Sequence, residues 1–466
     1  MRGRAALAVL LTIGFYGLAL GIAGVLLFVV WLFWVNGHGD NRFSLFCLIG
    51  AGVILWSILP RPQRFEAPGP TLQAAEHPRL FAELTDVATR VGEPMPHEVY
   101  LVPDVNAGVR ERGGLMGIGG RRVMLLGLPL LTVLTISQMR AVLAHEFGHY
   151  HGGDTRIAPW VYRTREAIIR TIRHLSGSSS VLHLPFVWYG NLFLRVTQAI
   201  SRRQEYLADA LAARTVGARP LIDGLRIIFG AAEAYPSYWR SEIVPVLSAG
   251  YLPPIADGFD QFLRQPAIVD EVTRITKEEM TAPNNDPLDS HPSLPDRIKA
   301  LNALPPGPEP PADPMALSLL ADGAAMERGL GASLMKPGTP ALRPLAWDDV
   351  GIQVLIPSWE GRVKQDAQLL SGQTVADLPG LAAPSTSDET SRRARTVSMG
   401  AALAVALASA GWSVDALPGA PPILRRASDT VEPFRVAQEL ASGELSAQAW
   451  GERCTALGIG ELRLNV

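Results

Sequence analysis

Two imidazoles and a carboxylate stand close together in His145-Glu146-Phe147-Gly148-His149. Residues four apart lie on one helical face, so both rings can reach a single cation, while Glu146, one step round, faces water held by that cation. That is the equipment of a zinc hydrolase. The flanking residues favour the helix: Ser137 can serve as its N-cap, Met139 to Leu143 are good helix formers, and Gly152-Gly153 supplies a stop. A buried helix with two packed histidines is the plain alternative, and a further ligand elsewhere in the chain is what decides between them.

A catalytic zinc keeps three protein ligands and leaves its fourth position to water. Glu205 is the best candidate for the third. The segment from about Asn191 to Thr215 reads as a helix ended by Gly217, and on it Glu205 and Asp209 share a face at i, i+4. One carboxylate can bind the metal while the other accepts the free ring N–H of a ligand histidine, fixing its tautomer; Asp209 takes this supporting role. Arg202 and Arg203 lie beside them, and without the upstream pentapeptide the segment would read as an ordinary solvated face.

These residues resemble the HtpX-type membrane zinc endopeptidases, a gluzincin family related to the CAAX prenyl proteases. The matching stretches run from Ala141 to His149 and on to Gly153-Asp154, from Ser201 to Asp209 with Ala210 to Ala213 behind it, and from His291 to Ile298. Asn106-Ala107, before the apolar strand Val123 to Leu126, is a weaker match, because Gly108 stands where the family usually has an aromatic residue. The resemblance covers roughly residues 75 to 303. It implies a zincin-like catalytic domain with one Zn2+ per chain held by His145, His149 and Glu205, and Glu146 as catalytic base. It also implies that His291 lies near the zinc, donating to the developing oxyanion, with Arg297 organising its loop, and that Asn106 and Ala107 take part in substrate binding.

Composition narrows the partners. A net charge of -2, with both signs spread along 466 residues, gives no footprint for nucleic acid. Cys47 sits in an apolar run and Cys454 near the far end, so a structural disulfide is not expected. From Ala5 to Val35, and again from Phe43 to Leu59, the chain carries no charge; about 20 apolar residues cross a bilayer core, so two transmembrane helices are expected. Arg2 and Arg4 precede the first, Arg61 and Arg64 follow the second, and positive-inside bias places both outer ends, with the catalytic domain, in the cytoplasm. A third apolar stretch, Val181 to Ile200, holds His183, Asn191 and Arg195; it reads as the early part of the Glu205 helix, lying against protein or dipping into the membrane interface.

Helical spacing from His77 to Thr89 and strand-like runs at Glu98 to Val102 and Arg122 to Leu126 complete a mainly α domain with a small sheet. The glycine cluster from Gly113 to Gly120 reads as a hairpin loop, and an exposed edge strand beside the zinc helix would hold an extended peptide by main-chain hydrogen bonds. Proline-rich 304–314 reads as a linker. The organisation expected is therefore two transmembrane helices in 1–60, a zinc metalloprotease domain in 61–303, the linker, and a C-terminal α+β accessory domain in 315–466. In that last part Met315 to Met335 looks helical, Pro384 to Arg395 loop-like, and Ser398 to Trp412 a packed apolar segment. The function expected is a multi-pass inner-membrane endopeptidase acting on membrane or unfolded polypeptides in quality control. A CAAX-type processing protease and an inactive protease-fold scaffold are the alternatives.

Overall fold

The computed structural model describes residues 2–37, 41–59, 65–112, 120–150, 158–176, 181–281, 292–307, 312–336, 338–382 and 389–464. In chain order its first elements are α1 (Arg2–Val35), α2 (Arg42–Ile58), β1 (Thr71–Leu72), α3 (Pro78–Val91), β2 (Glu98–Val102), β3 (Ala107–Arg112), β4 (Arg121–Gly127), α4 (Leu128–Val133), α5 (Ile136–Gly148), α6 (Ala158–Ser176), α7 (Leu184–Thr215) and α8 (Ala218–Tyr238). Mostly helix with small sheets, this is an α+β fold. Two compact units divide the chain, residues 1–228 with 276–321 and residues 229–275 with 322–466. The sequence reading grouped 229–275 with the protease domain; in the structure these residues cluster with the C-terminal part.

Uncharged sequence after Arg4 winds into α1, of which Leu7–Val35 is long and apolar enough to cross a membrane; α2 is a shorter apolar helix of 17 residues. Small side chains let the two lie close, with Ala19 and Ala23 of α1 and Cys47 and Ala51 of α2 buried in a shared core. The same core takes Ala167 and Ile168 from α6 and Phe186 and Phe193 from α7. The third apolar stretch, expected as the early part of the Glu205 helix, is the turn Val181–His183 and the first half of α7, which begins at Leu184.

The catalytic half of the first unit hangs on a four-stranded sheet of order β1-β2-β4-β3, in which β2 and β4 are parallel and β3 pairs antiparallel with β4 along the edge. Leu80, Leu84, Val87 and Val91 form the buried stripe of α3, at helical spacing as expected. The helix carrying the pentapeptide, α5, starts earlier than Ser137 suggested. Thr135 is its N-cap, with a reciprocal capping box to Gln138, while the Ser137 N–H donates to Asp313 (2.8 Å) and its hydroxyl bonds the same carboxylate. The helix ends at Gly148; Gly152-Gly153 lie outside the described residues.

Proline-rich 304–314 is tied down at both described ends. Pro305 and Pro306 carbonyls accept from Ala218 and Arg219 at the start of α8, and the Pro314 carbonyl accepts from Ile136 at the start of α5. Prolines lack N–H groups but keep carbonyls, which makes them suited to satisfying the orphan donors of helix N-termini. The second unit centres on the helix Glu389–Ser409, buried from Ser398 to Leu407 and packed with Ile356–Gln365 and Pro433–Ser442 and with the antiparallel strands Ser413–Asp415, Ile423–Arg426 and Asp429–Val431. Residues 389–395, expected as loop, are its first turns, where Arg393 bonds Glu389 at i, i+4 (2.5 Å).

Candidate metal centre

Helices α5 and α7 cross where Gly148 meets Ala208. A Cβ added at Gly148 would lie 3.1 Å from the Ala208 Cα, so the glycine permits an approach that any side chain would oppose. One turn back from Gly148, and one residue beyond it, the two histidines face the two carboxylates of α7.

The Nε2 atoms of His145 and His149 lie 3.2 Å apart. From His145 Nε2 to Glu205 Oε2 is 3.5 Å, and from His149 Nε2 to Glu205 Oε1 also 3.5 Å. A tetrahedral zinc with nitrogen and oxygen bonds of 2.0–2.1 Å requires donor-to-donor edges of about 3.3 Å. The two ring nitrogens, and the Glu205 carboxylate that meets each of them with a different oxygen, thus stand near the spacing one such ion needs. The His145 and Glu205 side chains are buried and His149 is partly exposed, which leaves the open side of the centre toward the cleft. Glu146 lines that cleft, and its carboxylate lies within 4.8 Å of the histidine donor atoms.

Asp209, one turn beyond Glu205, accepts from His145 Nδ1 at 2.9 Å. This places the ring proton on Nδ1 and aims the Nε2 lone pair at the centre. Arg297 grips the same carboxylate with two bonds, Nη2 to Oδ1 at 2.6 Å and Nε to Oδ2 at 2.9 Å, and its Nη1 lies 3.8 Å from Glu205 Oε2. It comes from the helix Leu294–Leu301, N-capped by Ser293. Arg297 thus supports the centre through Asp209; His291, whose loop it is expected to organise, lies outside the described residues.

Burial raises the Asp209 carboxyl, but the Arg297 and His145 hydrogen bonds outweigh it and hold it below the ordinary carboxylate range. Burial likewise opposes charge on His145, yet hydrogen bonds to Asp209 and Glu205 overcome it and push the ring up to about 9. A cation entering the centre must displace that proton.

The cleft, about 340 Å³, is bounded on one side by Asn106 and Ala107 at the start of edge strand β3. Asn106 accepts from the Gly127 N–H (2.8 Å), and Gly127 has no room for a side chain because the Asp104 carbonyl would lie 2.0 Å from its Cβ. Tyr150, just past α5, donates to the Val109 carbonyl (2.5 Å) and so binds the strand to the metal helix. The other side is apolar: Leu130, Val142, and Leu221, Leu225 and Ile228 of α8. That wall was not singled out in the sequence. Its spacing of four and three was visible there, but helical spacing cannot say which of several apolar stripes turns toward a site.

Such a cleft, in which a paired-histidine helix and a second acidic helix converge beside a sheet edge, belongs to the metallopeptidases. Residues 74–304 match the model of Peptidase family M48. The chain is similar to Protease HtpX of Idiomarina loihiensis, 26% identical over 219 residues that make up 41% of this chain and 73% of that protein. It is likewise similar to the Protease HtpX homolog of Acidiphilium cryptum, at 29% identity over 41% of this chain and 69% of that protein. With the Protease HtpX homolog of Tropheryma whipplei (strain Twist) the identity is 28%, and the match spans about half of that protein's length, 52%. No solved structure matches. Through residues 74–304 the chain belongs to peptidase family M48, and its type is that of the HtpX proteases.

If Asp209 holds the His145 tautomer, Asp209→Asn should weaken metal binding by about 10- to 100-fold while leaving the helical circular dichroism unchanged. Competition with a metal-binding dye would measure it, and unaltered affinity would remove Asp209 from this role.

Proposed function

We propose that this protein is a membrane-anchored zinc endopeptidase that cleaves exposed segments of membrane or unfolded proteins. The observation that carries the reading is the convergence of His145 Nε2, His149 Nε2 and Glu205 at 3.2 to 3.5 Å from one another. Zinc is the metal of choice for two imidazoles and a carboxylate in tetrahedral array. A bound zinc ion would supply Lewis acidity, acidifying water and polarising the scissile carbonyl.

The chain's own residues do the rest. Glu146, in the cleft beside the ligands, takes the proton of the attacking water and delivers it to the leaving amine. Asp209, held by Arg297, keeps His145 oriented with its proton away from the metal. An extended peptide lies antiparallel along β3, where Asn106 and Ala107 face the cleft, so recognition is by main chain and tolerant of sequence. A large apolar side chain next to the scissile bond fits the wall of Leu221, Leu225 and Ile228. His291 donates to the oxyanion as the tetrahedral intermediate forms. Quality control as the task follows from the anchor and the relatives' family, not from the site.

Both α1 and α2 cross the membrane in this reading, with the catalytic residues on the cytoplasmic side. Arg2, Arg4, Arg61 and Arg64 at the outer ends support it. A cysteine at Asn36 should then react with an impermeant thiol reagent only from the face opposite the catalytic unit.

Purified wild type should contain one zinc per chain and digest casein until a chelator is added. Glu146→Gln should retain the zinc and lose about 10²- to 10⁴-fold in turnover, and metal analysis beside the digestion separates these effects. Cleavage by that variant at the wild-type rate would defeat the mechanism. Mass spectrometry of the products is expected to place large apolar residues beside the cut bonds. In the same assay His291→Ala should turn over more slowly with its zinc in place; loss of the metal would contradict the oxyanion role.

A further inference from the structure

We propose that Tyr150 sets how much of a substrate is gripped ahead of the cut. Its hydroxyl occupies the Val109 carbonyl on the open edge of β3, so main-chain pairing on the amino side of the scissile bond ends at the substrate residue that faces Ala107. The proposal rests on the reading that an extended peptide lies antiparallel along β3.

Register and one hydrogen bond establish which groups of β3 point outward. Ala107 pairs with Leu126 and Val109 with Met124, so Asn106 stands opposite Gly127. The Gly127 N–H donates to the Asn106 carbonyl at 2.8 Å. Bonded and non-bonded pairs alternate along an antiparallel ladder. Gly108 and Arg110 therefore turn their N–H and C=O groups to β4, while Ala107 and Val109 turn theirs away from it. Because β3 is the edge of the sheet, Ala107 and Val109 present the groups that an added strand would bond.

The Val109 carbonyl is already taken. Tyr150 donates to it at 2.5 Å, whereas an added strand would bring an amide nitrogen to about 2.9 Å from the same oxygen. The hydroxyl stands in that nitrogen's place, and the ring behind it bars the chain that would carry one. The ring is itself held. The Arg122 guanidinium of β4 lies 4.7 Å from its centroid, and Arg122 Nη1 bonds Glu93 at 2.8 Å. Arg122 and Leu126 lie four apart on β4 and project from one face, which Ala107 shares through its pairing with Leu126. Tyr150 thus reaches the edge from the face that Ala107 turns to the cleft.

Strand β3 runs from Ala107, at the cleft, to Arg112. An antiparallel peptide passes Val109 first and Ala107 next, so the residue beside Val109 precedes the cut. These positions are about 7 Å apart along an extended chain. Beyond the residue facing Ala107, ordering more of the substrate costs conformational entropy with no main-chain bond in return. Such an edge suits polypeptides in which only a short extended stretch precedes the cut bond.

A peptide with one cleavage site, N-methylated at one residue at a time, would be cleaved by the full-length wild type and by Tyr150→Phe, each with its zinc content measured. Phenylalanine keeps the ring beneath Arg122 and removes the hydroxyl. N-methylation should slow the wild type only as far as the residue facing Ala107. In Tyr150→Phe the sensitive stretch should reach two residues further from the cut. N-methylation there should lower kcat/KM by about 2- to 10-fold, the value of a main-chain hydrogen bond. A hydroxyl that only braces β3 against α5 would change kcat/KM by one factor for every peptide, and sensitive stretches of equal length in both proteins would overturn the proposal. Wild-type cleavage indifferent to N-methylation everywhere on the amino side would remove peptide binding along β3, and the proposal with it. Zinc-loaded wild type that cleaves no peptide would instead sink the protease reading on which both stand. Should Tyr150→Phe fail to hold zinc, unmethylated peptides lengthened on the amino side decide with wild type alone. Its kcat/KM should stop rising within about three residues of the cut, because Ala107 borders the cleft, and a rise continuing through about six would overturn the proposal.

Discussion

The close crossing of α5 and α7 is the constraint on which the rest of the first unit depends. Imidazole and carboxylate side chains are short, and donors 3.2 to 3.5 Å apart require their backbones to approach closely. Gly148 against Ala208 is what makes that approach possible. Phe147 on the same turn and Ala212 on α7 are both buried, so water is kept from the backbones on either side of the crossing.

Around that crossing the charges are arranged at considerable cost. Glu205 and Asp209 are buried, and a buried carboxylate is tolerable only when paired. Arg297 compensates one of them with a two-bond grip and approaches the other at 3.8 Å. Its planar fork suits this task as a lysine would not. The remaining negative charge, with Glu146 at the mouth, suits the centre to positive charge, and the raised His145 expresses the same excess.

Helix α7 runs 32 residues without a break. Its first half packs with α1, α2 and α6, and its second half carries Glu205 and Asp209. Rigid connection between an apolar base and a ligand-bearing end is a mechanical property of an unbroken helix, whose backbone hydrogen bonds resist bending. Sheet edge β3 is joined to the same frame through the Tyr150 hydroxyl and the Val109 carbonyl.

Much of this was legible in the amino-acid sequence because the chemistry is local. The spacing of His145 and His149 needs only helical geometry to face one point, and the uncharged run from Ala5 to Val35 needs only its length to span a bilayer. Strands at Glu98 to Val102 and Arg122 to Leu126 and the stripe of α3 follow from period and composition. Other features were not readable. Thr135 rather than Ser137 caps α5 because Asp313, far along the chain, takes the Ser137 donors. Arg297 meets Asp209, residues 229–275 join the C-terminal unit, and the apolar wall of α8 turns to the cleft. Sequence by itself determined which groups could bind a metal and which segments prefer lipid, since those depend on side-chain type and short-range period. Tertiary structure decided which distant groups meet, because long-range pairing is set by how helices pack, and packing depends on shapes brought together only when the chain closes on itself.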